Sequence, residues 1–192
     1  MKKSRKKKSD KIRIIILEGE SNRHFFKQLK QTYGKNEEWG ISLLKAENLN
    51  FGKINREIEA SIEVLKYREV WLVMDLKTRK PGTERDFANR KVITAYYRQH
   101  VAIPEKVGYI VMVLDLECWL LLYFSKHNNT ETIKDSEKKL KELMGVGSSS
   151  SKIITAKRLI QKPDFWKKLI SNKDKNKSFS DFLDKAGITG ER

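Results

Sequence analysis

Short uninterrupted runs of apolar residues recur along the chain and alternate with segments of helical periodicity. Three runs are clear, at residues 12–17, 70–75 and 109–115, and a weaker one lies at 41–45. A run without polar alternation is typical of a strand buried on both faces, as in a parallel sheet covered by helices. The pattern therefore predicts an α/β fold with a mostly parallel, right-handed, Rossmann-like sheet.

Helices are predicted between these strands, where apolar residues recur every three or four positions. The segments are residues 21–33, 53–67 and 84–99, with a short, mostly buried helix at 116–124. We expect Ser21 to cap the first helix and Gly34 to be its C′ residue. Thr83 and Asp86 resemble a capping box before the third helix. A polar loop is expected from residue 35 to Trp39.

Composition divides the chain into three parts. Residues 1–10 form a basic arm that cannot fold alone, and 11–125 form the α/β domain. Residues 126–192 form a basic helical appendage, which we expect not to be stable by itself. Its aromatic residues can dock a small helical layer on the core. A length of 192 residues suits one sizeable core with such an addition.

The formal net charge of +16 is concentrated at the two ends of the chain. Residues 1–8 hold six bases and no acids, and residues 126–192 hold sixteen bases against nine acids. A polyanion such as nucleic acid is therefore the first partner to consider, and a solvated lysine-rich surface is the alternative. The arm fits nucleic-acid docking and a solubilising tail equally well.

Several classes of protein are disfavoured. Cys118 is the single cysteine, so an internal disulfide and a cysteine-based zinc site are excluded. The apolar stretch at 116–124 is too short to cross a bilayer, and no signal peptide is visible, so we expect a cytoplasmic protein without membrane contact. No phosphate-binding Gly-Lys-Ser/Thr loop, dinucleotide fingerprint or nucleophile elbow occurs. ATP hydrolysis would therefore require an ATPase partner.

Each of the three clear strands ends in an acidic residue. These are Glu18, Asp75 and Asp115, with Glu117 two residues beyond the last. If the strands are neighbours, the carboxylates meet at one edge of the sheet, where ligands of α/β proteins bind. Mg²⁺ takes one or two carboxylates and keeps waters for substrate phosphates. The alternative is that acids follow strands because loops are polar, with Asp115 as a helix N-cap.

The order of these motifs resembles the Toprim domain of topoisomerases, primases and OLD-family nucleases. The first motif is an apolar strand ending in Glu18-Gly19, followed by a helix with two phenylalanines. The second is the strand that ends at Asp75, and the third is Leu-Glu117-Cys-Trp119-Leu-Leu. The chain is most similar to RloB-like and related small Toprim proteins of prokaryotic defence islands. The resemblance covers residues 11–125.

The resemblance implies a nuclease that hydrolyses DNA or RNA with Mg²⁺ or Mn²⁺, in antiviral defence. It assigns Glu18 to general acid/base work and metal binding, and it expects an Asp-x-Asp motif that here reads Asp75-x-Lys77. Either Glu117 and Asp115 complete the metal shell and Lys77 contacts a phosphate, or Lys77 pairs with Asp75 in place of the ion. In the second case the domain is a degenerate module that binds nucleic acid or an ATPase partner. The first interpretation is preferred because Glu18, Asp75 and Glu117 are all retained.

The expected phosphate contacts are Lys77, Arg79 and Lys80 of the basic loop, together with Arg23. His24 is expected to be a surface or half-buried residue, and His100 a loop residue. Phe165 and Trp166 lie among lysines and could stack bases, although helix packing is favoured. The sequence leaves open whether the chain forms a homo-oligomer.

Overall fold

Four strands form one parallel sheet in the computed structural model. The structure describes residues 11–17, 19–33, 39–44, 50–75, 90–112, 120, 133–145, 158–162, 164–171 and 177–188. The strands are β1 (Ile12–Ile16), β2 (Trp39–Leu43), β3 (Glu69–Asp75) and β4 (Val107–Met112), in the order β2-β1-β3-β4. All three strand pairs are parallel. The predicted α/β class is confirmed, and the topology is consistent with a Rossmann-like fold.

Helices flank this sheet. In chain order they are α1 (Glu20–Tyr33), α2 (Phe51–Glu59), α3 (Arg90–His100), α4 (Ile133–Met144), α5 (Phe165–Ser171) and α6 (Lys177–Lys185). A π-helical segment, Ala60–Val64, extends α2, and a 3-10 turn, Pro104–Lys106, precedes β4. Asn50 caps α2, because its side-chain oxygen accepts a hydrogen bond from the Lys53 N–H at 3.0 Å.

Two hydrophobic layers cover the two faces of the sheet. Ile14 and Ile16 of β1 pack with α1 and with the described C-terminal helices. Ile15 and Leu17 face the other way and pack with α2 and α3. Successive side chains of a strand point to opposite faces, so an apolar run without alternation is what two covered faces require.

The C-terminal helices contribute directly to the first of these layers. Phe182 of α6 is fully buried, and its ring lies 5.4 Å from that of Trp39, 5.3 Å from that of Trp71 and 6.1 Å from that of Phe26, measured between centroids. Phe165 and Trp166 are also buried. Packing therefore accounts for that aromatic pair, and its side chains are not exposed platforms for bases.

Local predictions at several element ends were wrong. α1 begins at Glu20, so Ser21 lies inside the first turn and is not the N-cap. Trp39 begins β2 and is buried, although the polar residues before it predict a loop. His100 is the last residue of α3 instead of a loop residue.

Other predictions fall outside the described residues. They are the C′ position of Gly34, the capping box at Thr83 and Asp86, and most of the helix at 116–124. Leu120 is the one described residue of that segment, and it is helical and buried.

Gly108 allows Trp71 to cross the edge strand. A Cβ atom at Gly108 would lie 2.6 Å from two carbon atoms of the Trp71 indole, which is closer than real contacts allow. The missing side chain thus lets the indole lie against β4 and reach the ring of Phe182 on α6. Trp71 has the packing role expected from the sequence, and its side chain is 6% exposed.

We expect Gly108→Ala to lower the free energy of unfolding by about 1–3 kcal/mol, because the indole must move to admit the methyl group. Urea unfolding with an unchanged m-value measures this effect. Gly52→Ala is the control, since a Cβ there meets only the Asn50 side-chain oxygen, at 3.3 Å. Equal stability of the two variants would contradict the close Trp71 contact.

Candidate functional site at the carboxyl edge of the sheet

The strand order creates a switch point between β1 and β3. The chain passes from β1 to β2 on one side of β1, and then returns to β3 on the other side. α1 therefore covers one face of the sheet, and α2 and α3 cover the other. In open α/β sheets, the crevice beyond the carboxyl ends of the two strands at such a point is where ligands bind.

The register brings the carboxyl ends of β1, β3 and β4 to the same edge. Ile16 is paired with Val73, and the Leu17 N–H donates a hydrogen bond to the Val73 carbonyl at 3.0 Å. Asp75, two residues beyond Val73, is paired with Met112 of β4. The sequence argument required these three strands to be neighbours, and that condition is met.

The structure describes only part of the predicted site. Asp75 is the last residue of β3, and its backbone is described but its side chain is not. Arg23 lies in the first turn of α1. The remaining predicted residues lie outside the described residues: Glu18, Lys77, Arg79, Lys80, Asp115 and Glu117. Convergence of the carboxylates therefore stays a prediction, supported by the backbone of the strands that precede them.

A sharp turn joins β1 to α1 at this edge. Gly19 has a φ of 88°, which is left-handed and favours glycine. Its carbonyl accepts a hydrogen bond from the Arg23 N–H at 3.2 Å, which closes the first turn of the helix. A Cβ at Gly19 would lie 3.1 Å from Nδ2 of Asn22, so the Asn22 amide packs against the turn.

Asn22 is a residue of this edge to which the sequence pattern assigned no role. It is 2% exposed and lies on the buried face of α1 together with Phe25, Phe26 and Leu29. The signal was present, because helical spacing puts position 22 on the same face as the positions three and four residues later. The buried Asn22 amide thus packs against the turn that joins β1 to α1.

Arg23 supplies positive charge at this edge. Its Nη1 lies 3.5 Å from Oε2 of Glu20, and the two side chains are 40% and 61% exposed. Exposed pairs of this kind contribute little to stability, so the guanidinium can turn to an anion at small cost. The Arg23 Nε atom is buried and has no hydrogen-bond partner among the described residues. His24, the next residue, is half-buried as expected.

The predicted ligand set has the chemistry that Mg²⁺ prefers, since all four ligands are carboxylates. Within the part of the chain that the structure describes, no group of three or more His, Cys, Asp or Glu side chains could hold a metal ion. The structure does not describe the side chains of the predicted ligands, so this absence does not concern the predicted metal site.

Comparison of the chain with protein-family models, with curated proteins and with solved structures found no match. The likeness to Toprim proteins therefore rests on the motifs given above. None of the described helices is both long enough and apolar enough to cross a bilayer.

Gly19→Ala should lower the free energy of unfolding by about 1–3 kcal/mol, because alanine is strained at this φ. Gly145→Ala is a matched control, since Gly145 also has a positive φ, 62°, but a Cβ there meets nothing within 4 Å. We expect the Gly19 variant to be the less stable of the two in urea unfolding, since it also displaces Asn22. Equal destabilisation of the two variants would show that the Asn22 amide does not restrict the turn.

Proposed function

We propose that the chain is a Mg²⁺-dependent, Toprim-type nuclease that hydrolyses phosphodiester bonds in DNA or RNA, in the cytoplasm and as part of antiviral defence. The observation that carries the proposal is the pairing of β1 with β3 at the switch point. Leu17, the residue before Glu18 in the sequence, is hydrogen-bonded to β3 two residues before Asp75. One acid thus follows β1 in the sequence and the other ends β3, its neighbour, at the edge where ligands of this fold class bind.

Each acid has a role in the proposed site. Asp75 and Glu117, with Asp115, hold the metal ion. Glu18 joins this shell and moves the proton of the attacking water or of the leaving oxygen. When bound, Mg²⁺ would polarise a phosphoryl oxygen and make a coordinated water easier to deprotonate.

Basic side chains bind the substrate backbone in this proposal. Lys77, Arg79 and Lys80 follow β3 in the sequence, and Arg23 is a partly exposed cation in the first turn of α1. Phosphate contacts position the strand and carry no base preference. The formal net charge of +16 strengthens attraction to any nucleic acid.

A second candidate function is a Toprim module that binds nucleic acid or an ATPase partner without cutting. The observation in its favour is Lys77, which stands where the family motif has its second acid. An ammonium next to Asp75 removes one metal ligand and adds a positive charge beside the metal position. The nuclease is preferred because Glu18, Asp75 and Glu117 together still provide three carboxylates.

Glu18→Gln and Asp75→Asn should each lower Mg²⁺-dependent cleavage of a panel of single- and double-stranded DNA and RNA by at least about a hundredfold. Binding at low salt should persist, since the phosphate contacts remain. Glu105→Gln is the matched control, because Glu105 is an exposed acid in the 3-10 turn before β4. Wild-type protein that never cuts with Mg²⁺ or Mn²⁺ would instead identify the binding module.

The basic arm can be tested separately. Replacing the six bases of residues 1–8 with glutamine should make the plot of log affinity against log salt less steep, by about 0.9 for each duplex phosphate that the arm neutralises in the unaltered chain. The unaltered chain is the reference, and binding to a duplex is measured over a range of salt. An identical slope would show that the arm neutralises no phosphates, and would leave solubility as its role.

A further inference from the structure

The described residues cover the outer edge of β4 along only part of its length. β4 is the last strand at one side of the described sheet. The Val111 N–H donates to the Ser178 hydroxyl at 3.2 Å, and that hydroxyl lies 3.4 Å from the Val111 carbonyl oxygen. Both Val111 groups therefore point away from β3. Peptide groups alternate along a strand, so the Val107 carbonyl and both peptide groups of Tyr109 also point outward. The Val107 N–H is already used, because it donates a hydrogen bond to the Pro104 carbonyl in the turn before β4.

A cavity of about 270 Å³ opens beside these outward-facing groups. Its floor is the start of β4, from Val107 to Tyr109, with the Trp71 indole beside it. Arg98 of α3 lines one side, and Asp181 of α6 lines the other. The cavity is thus built from both layers around the sheet edge, and it lies toward the start of β4, whereas the candidate metal site lies beyond the end of the strands.

Two buried polar atoms belong to residues that line this cavity. The Tyr109 hydroxyl and the Trp71 indole N–H have no hydrogen-bond partner among the described residues, and the two side chains are only 7% and 6% exposed. Burial raises the pKa of Tyr109 to about 12, against a smaller lowering by the nearby Arg98 guanidinium, so the hydroxyl keeps its proton at neutral pH. Such buried groups destabilise the protein unless a ligand satisfies them.

The charges at the two sides of the cavity are opposite. Arg98 and Asp181 are exposed, and neither forms an ion pair with another described residue. Arg98 lies on the sheet face that carries the Tyr109 side chain, whereas Asp181 lies on the face that carries Trp71. An occupant with main-chain amides and one charge of each sign on its two sides would match this arrangement.

We propose that this cavity binds a short extended peptide segment of a partner protein, which adds to the outer edge of β4. The main chain of the segment pairs with the Val107 carbonyl and with the N–H and carbonyl of Tyr109, as in other complexes formed at sheet edges. Side chains of an extended segment alternate between its two sides. An acidic residue therefore meets Arg98, and a basic residue directly next to it in sequence meets Asp181.

Other occupants fit the cavity less well. Nucleic acid would bring phosphate against Asp181. A second copy could continue the sheet through an antiparallel strand, related by a two-fold axis normal to the sheet. The two Arg98 side chains would then lie on one face and the two Asp181 side chains on the other, so that like charges would face each other. A free zwitterionic amino acid could reach both charges, but it lacks the repeated main-chain groups of a strand. Ser178 limits the bound segment, because its hydroxyl occupies the next outward-facing groups at Val111.

The test uses the full chain and blocked peptides, with affinity measured by calorimetry. The probes are acetyl-Thr-Val-Glu-Lys-Val-Thr-amide and its counterpart with Glu and Lys exchanged, because the direction of the bound segment is open. The control peptide, acetyl-Thr-Glu-Val-Lys-Val-Thr-amide, has the same composition but carries both charges on one side of an extended segment. We expect one of the two probes to bind at least about tenfold more tightly than the control, which corresponds to about 1.4 kcal/mol.

Charge reversal on the protein gives an independent reading. Arg98→Glu should weaken the better probe by about tenfold or more, and the double variant Arg98→Glu, Asp181→Lys should prefer the probe with Glu and Lys exchanged. Lys167→Glu, the same charge change at an exposed position of α5, should leave the affinity unchanged. Circular dichroism checks that these surface variants fold.

Four results would overturn the proposal. They are binding of no peptide, equal binding of probes and control, binding of blocked Glu-Lys dipeptide as tight as that of the longer probe, and dimerisation of the chain that Arg98→Glu abolishes. None of them depends on cleavage of nucleic acid, so the peptide site and the proposed nuclease can fail separately.

Discussion

The alignment of β1 with β3 is the constraint on which the carboxyl edge depends. Both strands are apolar on both faces, so apolar burial alone would tolerate a shift in register. Arg13 is the polar exception in β1, and its Nη2 lies 2.8 Å from Oε1 of Glu57 on α2, with its guanidinium 5.6 Å from the centre of the Tyr67 ring. A shift of one residue would place the Arg13 side chain on the opposite face of the sheet, in the other apolar layer. Its ion pair with Glu57 would then be lost. Gly40 of β2 stands opposite, since a Cβ there would lie 2.6 Å from Nη1 of Arg13.

The two halves of the chain share one interior. The face of β1 that carries Ile14 and Ile16 is covered by α1 and by aromatic residues more than a hundred positions away in the sequence. Phe182 contacts the rings of Trp39 and Trp71, so it lies over β2 and β3 as well as over α1. The helices that composition marks as an appendage thus complete the apolar layer on this face of the sheet.

The two proposed sites lie at different edges of the sheet. One is the proposed metal and phosphate site, which lies beyond the carboxyl ends of β1 and β3, between which the strand order reverses. At the side of the sheet, β4 presents outward peptide groups between oppositely charged residues of α3 and α6. The first proposal depends on acids at the ends of strands, and the second depends on the main chain of a strand. An occupied peptide site would therefore leave the carboxyl edge accessible to nucleic acid.

The sequence by itself determined the α/β class, three of the four strands closely, and the acids that follow them, because burial on both faces leaves an uninterrupted apolar run that is visible locally. It also predicted α1, whose buried face repeats every three or four residues. Tertiary structure alone decided that β1 lies between β2 and β3, that Asn22 is buried against Gly19, and that Gly108 makes room for Trp71. Periodicity records how deeply each residue is buried. Periodicity does not show which residues, distant in the sequence, pack against a given side chain. Strand pairing and core packing depend on those long-range contacts.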